Sequence, residues 1–171
     1  WELNRSASSD LSLLEQIDFQ SKLSRQLPAA EHRVVYTKSG QHLAACRLDD
    51  PDSIIDHTLY WAPTGSVDEG RYICAVLNSG PLATVVRALQ SRGQHNPRHF
   101  DMHVFAVPFP LYDAQNSVHR DLVSLAGTAE SVADEVDLDG SWQFQKARRV
   151  VRQALEADGV AAQIDAAVEE L

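Results

Sequence analysis

Three histidines, His95, His99 and His103, lie four residues apart in the segment GQHNPRHFDMH. On one α-helix this spacing would place the three imidazoles on a single face, as a zinc site requires. Pro97 argues against that helix, because proline removes a backbone donor and clashes with the preceding turn. In an extended segment His99, Asp101 and His103 would share one face, so a metal site on a strand is the alternative that stays open. A strand with one solvated face is the commoner case, and we predict no metal site here.

Clustered carboxylates are the second group of side chains that could do chemistry. Asp49, Asp52 and Asp56 lie in or near the turn DDPD, and a hydrolase could use them as metal ligands. Such runs are solvated turns far more often than acid/base pairs. The sequence has no glycine-rich phosphate or dinucleotide loop, no strand-turn-helix with a nucleophilic serine and no HExxH. We therefore predict no catalytic residue and no cofactor site in this chain.

The composition is that of a folded protein, since 44% of the residues are apolar and 171 residues allow one domain with a proper core. The sequence starts at Trp1 with no signal-like segment after it, so we expect a piece of a longer polypeptide or a processed product. No apolar run approaches the roughly 20 residues that cross a bilayer, and we expect a soluble cytoplasmic protein with no membrane partner. Cys46 and Cys74 lie in apolar contexts without CxxC spacing, which favours buried thiols, although a single disulfide stays open.

Charge is unevenly distributed along the chain, whose net charge is −9. An acidic chain is at first a poor candidate for binding DNA, because DNA-binding proteins neutralise phosphates with Lys and Arg. From Gly70 to Phe100, however, there is no acidic residue, whereas four arginines and two histidines are present. This stretch is either an electropositive surface or a pair of buried helices that carries few charges.

Hydrophobic periodicity and turn residues predict a helix, three strands, two helices, a strand and three further helices. The predicted helices cover 8–27, 66–79, 82–93, 116–138 and two stretches within 141–171 that are separated near Asp158-Gly159. The predicted strands lie within 32–48, 54–63 and 100–113, and the last of them gives way to a Pro-rich connection. Ser66 and Glu69 form a capping box, and Asn78 and Ser79 are expected to cap a helix end.

This order of elements predicts an α+β fold: a small, mostly antiparallel sheet with packed helices and a C-terminal helical appendage. We divide the chain into an N-terminal helix (1–30), an α+β domain (31–138) and a helical tail (139–171).

An ordered set of landmarks runs through residues 59–126. It consists of LY at 59–60, a Glu and an aromatic residue at 69 and 72, LNS at 77–79, Gly93, Arg98, an apolar-Pro-x-Pro run within 104–110, and a helix that opens with His119 and leads to LVSLA. In order and spacing these landmarks resemble the C-terminal target-recognition region of N6-adenine DNA methyltransferases, as found in type II restriction-modification enzymes that join methylation and cleavage in one chain. The resemblance covers roughly residues 30–135.

The resemblance implies that this chain reads a short DNA sequence while a separate upstream domain binds S-adenosylmethionine and flips the adenine. The chain has no Asn-Pro-Pro-aromatic motif, so we expect a recognition module that is not catalytic alone and holds no cofactor itself. The implied partners are double-stranded DNA and the methyltransferase domain of the parent chain.

Two segments carry side chains that can reach base edges, the 92–99 loop and the tip of the predicted hairpin. Arginine pairs with guanine and asparagine or glutamine with adenine, and each good pair discriminates by roughly 1–3 kcal/mol. Arg98 pairing with Asp101, and Asn96 capping the turn before Pro97, are the structural alternatives. We predict that these two segments contact DNA through eight residues: Lys38, Gln41, Arg92, Gln94, His95, Asn96, Arg98 and His99.

The segment QKARRVVRQAL in the tail places basic residues on two stripes of one helix, Lys146 with Arg149 and Arg148 with Arg152. These stripes could meet phosphates or dock on the catalytic domain. The acidic residues within 156–171 suit solvent or a protein partner, because DNA would repel them.

The alternative to DNA recognition is a protein-interaction or scaffold module with an acidic surface and no DNA contact. DNA recognition requires the charges of residues 70–100 to converge on one concave surface between loops 36–42 and 92–99, whereas a scaffold module allows them to scatter.

Overall fold

The structure, a computed structural model, describes residue 6 and residues 10–40, 42–90, 100, 104 and 107–171. Within these residues it contains three strands and six α-helices, and it confirms the predicted α+β fold. The strands are β1 (Arg33–Thr37), β2 (Ala45–Leu48) and β3 (Leu59–Pro63). The helices are α1 (Leu13–Ile17), α2 (Val67–Asn78), α3 (Gly80–Leu89), α4 (Ser117–Asp134), α5 (Phe144–Asp158) and α6 (Val160–Val168).

The sheet is antiparallel, with β1 in the centre between β2 and β3. The hairpin predicted within 32–48 is confirmed by the pairing of β1 with β2. β-branched and aromatic residues favour the central strand, where Val34, Val35 and Tyr36 are buried. Because neighbouring residues on a strand point to opposite faces, both faces of β1 are covered.

The main core lies between one face of the sheet and α2, which contacts β1, β2, α3, α4 and α6. Val34 and Tyr36 supply the sheet side of this core, and Leu122 supplies part of the α4 side. Val160 and Ile164 of α6 belong to the same cluster of buried residues. The C-terminal helices therefore share their core with the sheet and α2.

Serine side chains set the boundaries of α2 and α3. The Oγ of Ser66 accepts a hydrogen bond from the Glu69 amide (3.1 Å) and caps the start of α2. The Glu69 carboxylate accepts from the Gly65 amide (2.5 Å), so the predicted capping box forms only in its Ser66 half. The Oγ of Ser79 accepts one from the Leu82 amide (3.3 Å) and caps α3, whose first turn contains Pro81. No single helix among the described residues is long and apolar enough to cross a membrane; α2 and α3 reach that length and hydropathy only as a pair, which is bent by 63°.

Asn78 joins the end of α2 to the edge strand β2. Its side-chain amide donates to the carbonyl of Cys74 (2.9 Å), which caps the last helical turn as expected. The same side chain also donates to the Ala45 carbonyl and accepts from the Ala45 amide, both at 2.9 Å. Both cysteines are free: Cys74 is buried, which raises the pKa of its thiol, whereas Cys46 on β2 is exposed, contrary to expectation.

The N-terminal helix predicted over 8–27 is wrong in the residues that the structure describes. α1 is five residues long, and two short 3₁₀ turns follow it. The Asp18 carboxylate accepts hydrogen bonds from the amides of Leu23 (2.9 Å) and Ser24 (3.0 Å), and Gln20 has a φ of 61°. An aspartate that binds nearby amides offers the backbone an alternative to the helix.

The strand predicted over 54–63 begins only at Leu59. The Asp56 carboxylate accepts a hydrogen bond from the Thr58 amide (2.9 Å), which holds the preceding residues in a turn.

A strand that gives way to a Pro-rich connection is predicted within 100–113, and in the described part of this segment the strand is wrong at Val104. Val104 is helical, and residues 107–113 form no strand. Pro108 and Pro110 lack the amide donors that a strand ladder needs, which agrees with the Pro-rich connection predicted at this end of the segment.

Candidate nucleic-acid interface

Lys38 is the residue of the predicted DNA-contacting set that the structure describes. Its side chain is half-buried, and its Nζ lies 5.2 Å from the centroid of the Tyr60 ring, a cation–π contact. The other predicted contacts lie outside the described residues: Gln41, Arg92, Gln94, His95, Asn96, Arg98 and His99. The possible metal ligands Asp101 and His103 lie outside them as well.

The hairpin tip contacts the residue that directly follows the predicted 92–99 loop. The amide of Phe100 donates to the carbonyl oxygen of Lys38 (2.9 Å). The Phe100 ring is buried and lies close to Gly40, where an added Cβ would be 4.0 Å from a ring carbon. Phe100 is therefore held beside Lys38 at the hairpin tip.

Basic side chains from α3 and α5 gather at His42, just beyond the hairpin tip. The Arg148 guanidinium donates to the carbonyl oxygen of His42 (3.2 Å). Arg152, one turn further along α5, and Arg87, in the last turn of α3, are near enough to repel a positive charge on the His42 imidazole. We refer to His42, Arg87, Arg148 and Arg152 as the basic cluster.

Positive charge in the basic cluster is poorly compensated. The pKa of His42 lies below its ordinary value, first because of lost hydration and then because Arg152, Arg87 and Arg148 repel its protonated form, while Glu156 acts in the opposite direction. Burial, followed by repulsion from Arg152, also lowers the pKa of Arg148. Within the described parts of the chain, none of the three arginines has a carboxylate at ion-pair distance. The cluster is therefore suited to binding an anion.

Arg71, another arginine of the acid-poor stretch, has its charge neutralised. Its Nε and Nη2 donate to the Glu130 carboxylate on α4 at 3.0 and 2.9 Å. Arg47 on β2 binds the same carboxylate and also Asp49. Partial burial alone would raise the pKa of Glu130, but the two arginines outweigh it and hold that pKa below its ordinary value. Arg71 thus links α2 to α4 and is not part of the basic cluster.

A pocket of about 460 Å³ opens beside Arg71. Asp68, Arg120 and Tyr112 also line it, and Arg120 uses one nitrogen to bind two backbone carbonyls in the loop before α4. Charges of both signs meet there, so the pocket lacks the preference for anions that the basic cluster has.

Two of the three carboxylates considered as metal ligands, Asp49 and Asp56, make local contacts. Asp49 binds Arg47 and lies 3.1 Å from Nδ1 of His32. The pKa of Asp56 falls to about 2, chiefly because the Thr58 amide binds the carboxylate. In the described part of the chain no three His, Cys, Asp or Glu residues are grouped so that they could hold a metal ion.

Sequence reasoning offered Arg148 and Arg152 as a stripe that could meet phosphates, but it did not assign His42 or Arg87 to a site. Helical periodicity places Arg148 and Arg152 on one stripe of α5, which is visible in the sequence. The sequence does not show that this stripe meets His42, because that contact joins residues about a hundred positions apart. Arg87 carries no local signal beyond its place in an acid-poor stretch.

No family model, no curated protein and no solved structure matches this chain.

Proposed function

We propose that this chain is the sequence-specific DNA-recognition module of an N6-adenine DNA methyltransferase of the restriction-modification type. The observation that supports the proposal is the basic cluster, which adjoins the hairpin whose tip is predicted to contact DNA. The methyltransferase domain of the parent enzyme would bind S-adenosylmethionine and carry out the chemistry.

The basic cluster and the predicted loops would make different contacts with DNA: the cluster with phosphates and the loops with base edges. Guanidinium groups bind phosphate oxygens in pairs, and such contacts fix the position of a duplex without reading its sequence. Arg87, Arg148 and Arg152 supply three guanidiniums for this purpose. Base contacts are assigned to Lys38 and to the 92–99 loop, which supplies the amide and guanidinium groups that pair with base edges.

Fluorescence anisotropy of a labelled DNA duplex titrated with the chain tests this proposal. The informative variant is Arg148→Gln/Arg152→Gln, which removes two charges from the stripe that meets His42. The matched control is Lys146→Gln/Arg149→Gln, which removes the same charge from the other stripe of α5, where both residues are exposed. Each protein is titrated at about 50 and about 200 mM salt, the range in which counterion release dominates affinity.

We expect the wild type to bind at low salt and to weaken steeply as salt rises. The Arg148→Gln/Arg152→Gln variant should lose about two from the slope of log affinity against log salt, because each phosphate contact releases roughly one counterion. The control variant should keep most of that slope. An inert wild type at low salt, or equal losses in the two variants, would contradict the proposal.

A protein-interaction module is the second candidate, and α1 favours it. This helix has no buried residue, and it exposes Leu13, Leu14 and Ile17, with Leu14 77% exposed. Exposed apolar residues that lie together are typical of a surface that another protein covers. A recognition module docked on its methyltransferase domain also needs such a surface, so DNA binding is the property that separates the two functions.

A further inference from the structure

His42 lies where the hairpin meets α5, and its side chain is free to face a ligand. The residue is exposed, and Arg148 binds its backbone carbonyl, so the side chain itself is not needed for that contact. Four charged groups act on the imidazole: Arg148, Arg152 and Glu156 from α5, and Arg87 from α3. Lost hydration is the first cause that disfavours a charged imidazole in the free protein, and three of these four groups are cations that add to it by repulsion.

A DNA phosphate in the basic cluster would reverse this balance. Its negative charge would offset the guanidinium charges that repel the imidazolium, and its oxygens would accept a hydrogen bond. A protonated histidine has two donors, whereas the neutral ring has one donor and one acceptor. The charged form of His42 is therefore the form that a phosphate would favour.

Building on the proposed function, we infer that His42 is a fourth phosphate-binding residue of the basic cluster and that it binds DNA as the imidazolium, taking up a proton when the complex forms. The ligand class is the phosphodiester backbone of a duplex. Because the contact is made to phosphate, it adds affinity without adding sequence preference.

The sign of the pH dependence of DNA affinity follows from the pKa of His42 in the free protein and in the complex with DNA. In the free protein the pKa of His42 lies below its ordinary value, so the ring is neutral at neutral pH. In the complex the phosphate raises that pKa. DNA affinity should therefore increase as the pH falls through the bound-state pKa, and this increase should level off below the free-state pKa.

The test is the DNA affinity of the full chain at fixed low salt between about pH 8 and about pH 5.5, measured for the wild type, His42→Gln and His42→Arg. His57→Gln is the matched control, because His57 is exposed and hydrogen-bonded to Asp56, outside the basic cluster. Titration calorimetry in two buffers of different ionisation enthalpy gives the number of protons taken up by each protein.

We expect the wild type to gain about five- to tenfold more affinity than His42→Gln over this pH range, since one linked proton changes affinity by at most tenfold per pH unit. His42→Arg should bind tightly without that gain, and His57→Gln should behave as the wild type does. If DNA binding depends on Arg148 and Arg152 but His42→Gln keeps the full pH dependence and proton uptake, the role of His42 is overturned and the proposed function stands. If the wild type fails to bind DNA even at about pH 5.5 and low salt, both are overturned.

Discussion

The Glu130 carboxylate on α4 accepts hydrogen bonds from two arginines, Arg47 of β2 and Arg71 of α2. The carboxylate is 36% exposed, whereas the Arg47 side chain is 16% exposed. Removing the carboxylate would leave that guanidinium largely desolvated with a weaker partner, Asp49. This ion-pair group is therefore a structural link between the sheet and two helices, in contrast to the uncompensated arginines of the basic cluster.

Glu130→Gln should lower the free energy of unfolding by about 1–2 kcal/mol at neutral pH, a figure reduced for solvent screening of the partly exposed carboxylate. The folded-state pKa of Glu130 lies below its ordinary value of 4.5. Its stabilising effect is therefore complete above that value and is lost as the pH falls through the folded-state pKa. Urea denaturation at about pH 7 and about pH 3 should show the gap between wild type and variant closing in acid.

Glu135→Gln is the control for this change, because Glu135 is exposed at the end of the same helix. It should leave stability within about 0.5 kcal/mol of the wild type, as surface substitutions generally do. Equal losses for the two variants, or a gap that widens in acid, would show that Glu130 does not act through its charge.

Gly159 separates α5 from α6 and adopts a left-handed conformation with a φ of 92°. An added Cβ would meet no atom within 4 Å there, so a substitution would act through the backbone alone. Gly159→Ala should cost about 1 kcal/mol, because non-glycine residues are strained at positive φ.

Gly140 provides a matched comparison, since an added Cβ is equally unobstructed and its φ lies outside the left-handed region. Gly140→Ala should be neutral or slightly stabilising, because alanine reduces the freedom of the unfolded chain. Thermal unfolding of the two variants gives the comparison, and equal melting temperatures would refute the role assigned to Gly159.

The elements that sequence patterns predicted well are those whose boundaries depend on local chemistry. The break at Gly159 and the cap at Ser66 follow from residue types that act within one turn. The errors in predicted elements arose where one pattern of apolar residues is compatible with two backbone conformations. The leucines of 8–27 fit a helix until Asp18 binds the amides of a new turn, and apolar residues alternate in 100–113 although Val104 is helical.

The site was less predictable than the elements, because it depends on contacts between distant parts of the chain. The stripe formed by Arg148 and Arg152 follows from helical periodicity, but its contact with His42 depends on how α5 packs against the hairpin. All eight predicted DNA contacts stay predictions: the seven at Gln41 and within 92–99 lie outside the described residues, and the position of Lys38 beside Tyr60 does not test DNA contact.

The whole molecule combines a net charge of −9 with a basic cluster in which three arginines lie around one histidine. An acidic protein repels a DNA backbone over most of its surface, so a duplex should approach in the orientation that presents the cluster to the phosphates. The core joins the sheet, α2, α4 and α6, so α5 and its arginines are carried by the same folded unit as the hairpin. In the described part of the chain, the hairpin tip and the basic cluster therefore lie on one body.

Mapping of amide chemical shifts in the isotope-labelled chain, titrated with a short DNA duplex at low salt, tests the central claim most directly. DNA recognition through the basic cluster predicts the largest shifts at residues 38–42, in the 92–99 loop to which base contacts are assigned, in the last turn of α3 and at Arg148 and Arg152, with little change in α1 or around the Arg71 pocket. The claim would be contradicted by the largest shifts falling in α1, or by no shifts at any DNA concentration at low salt.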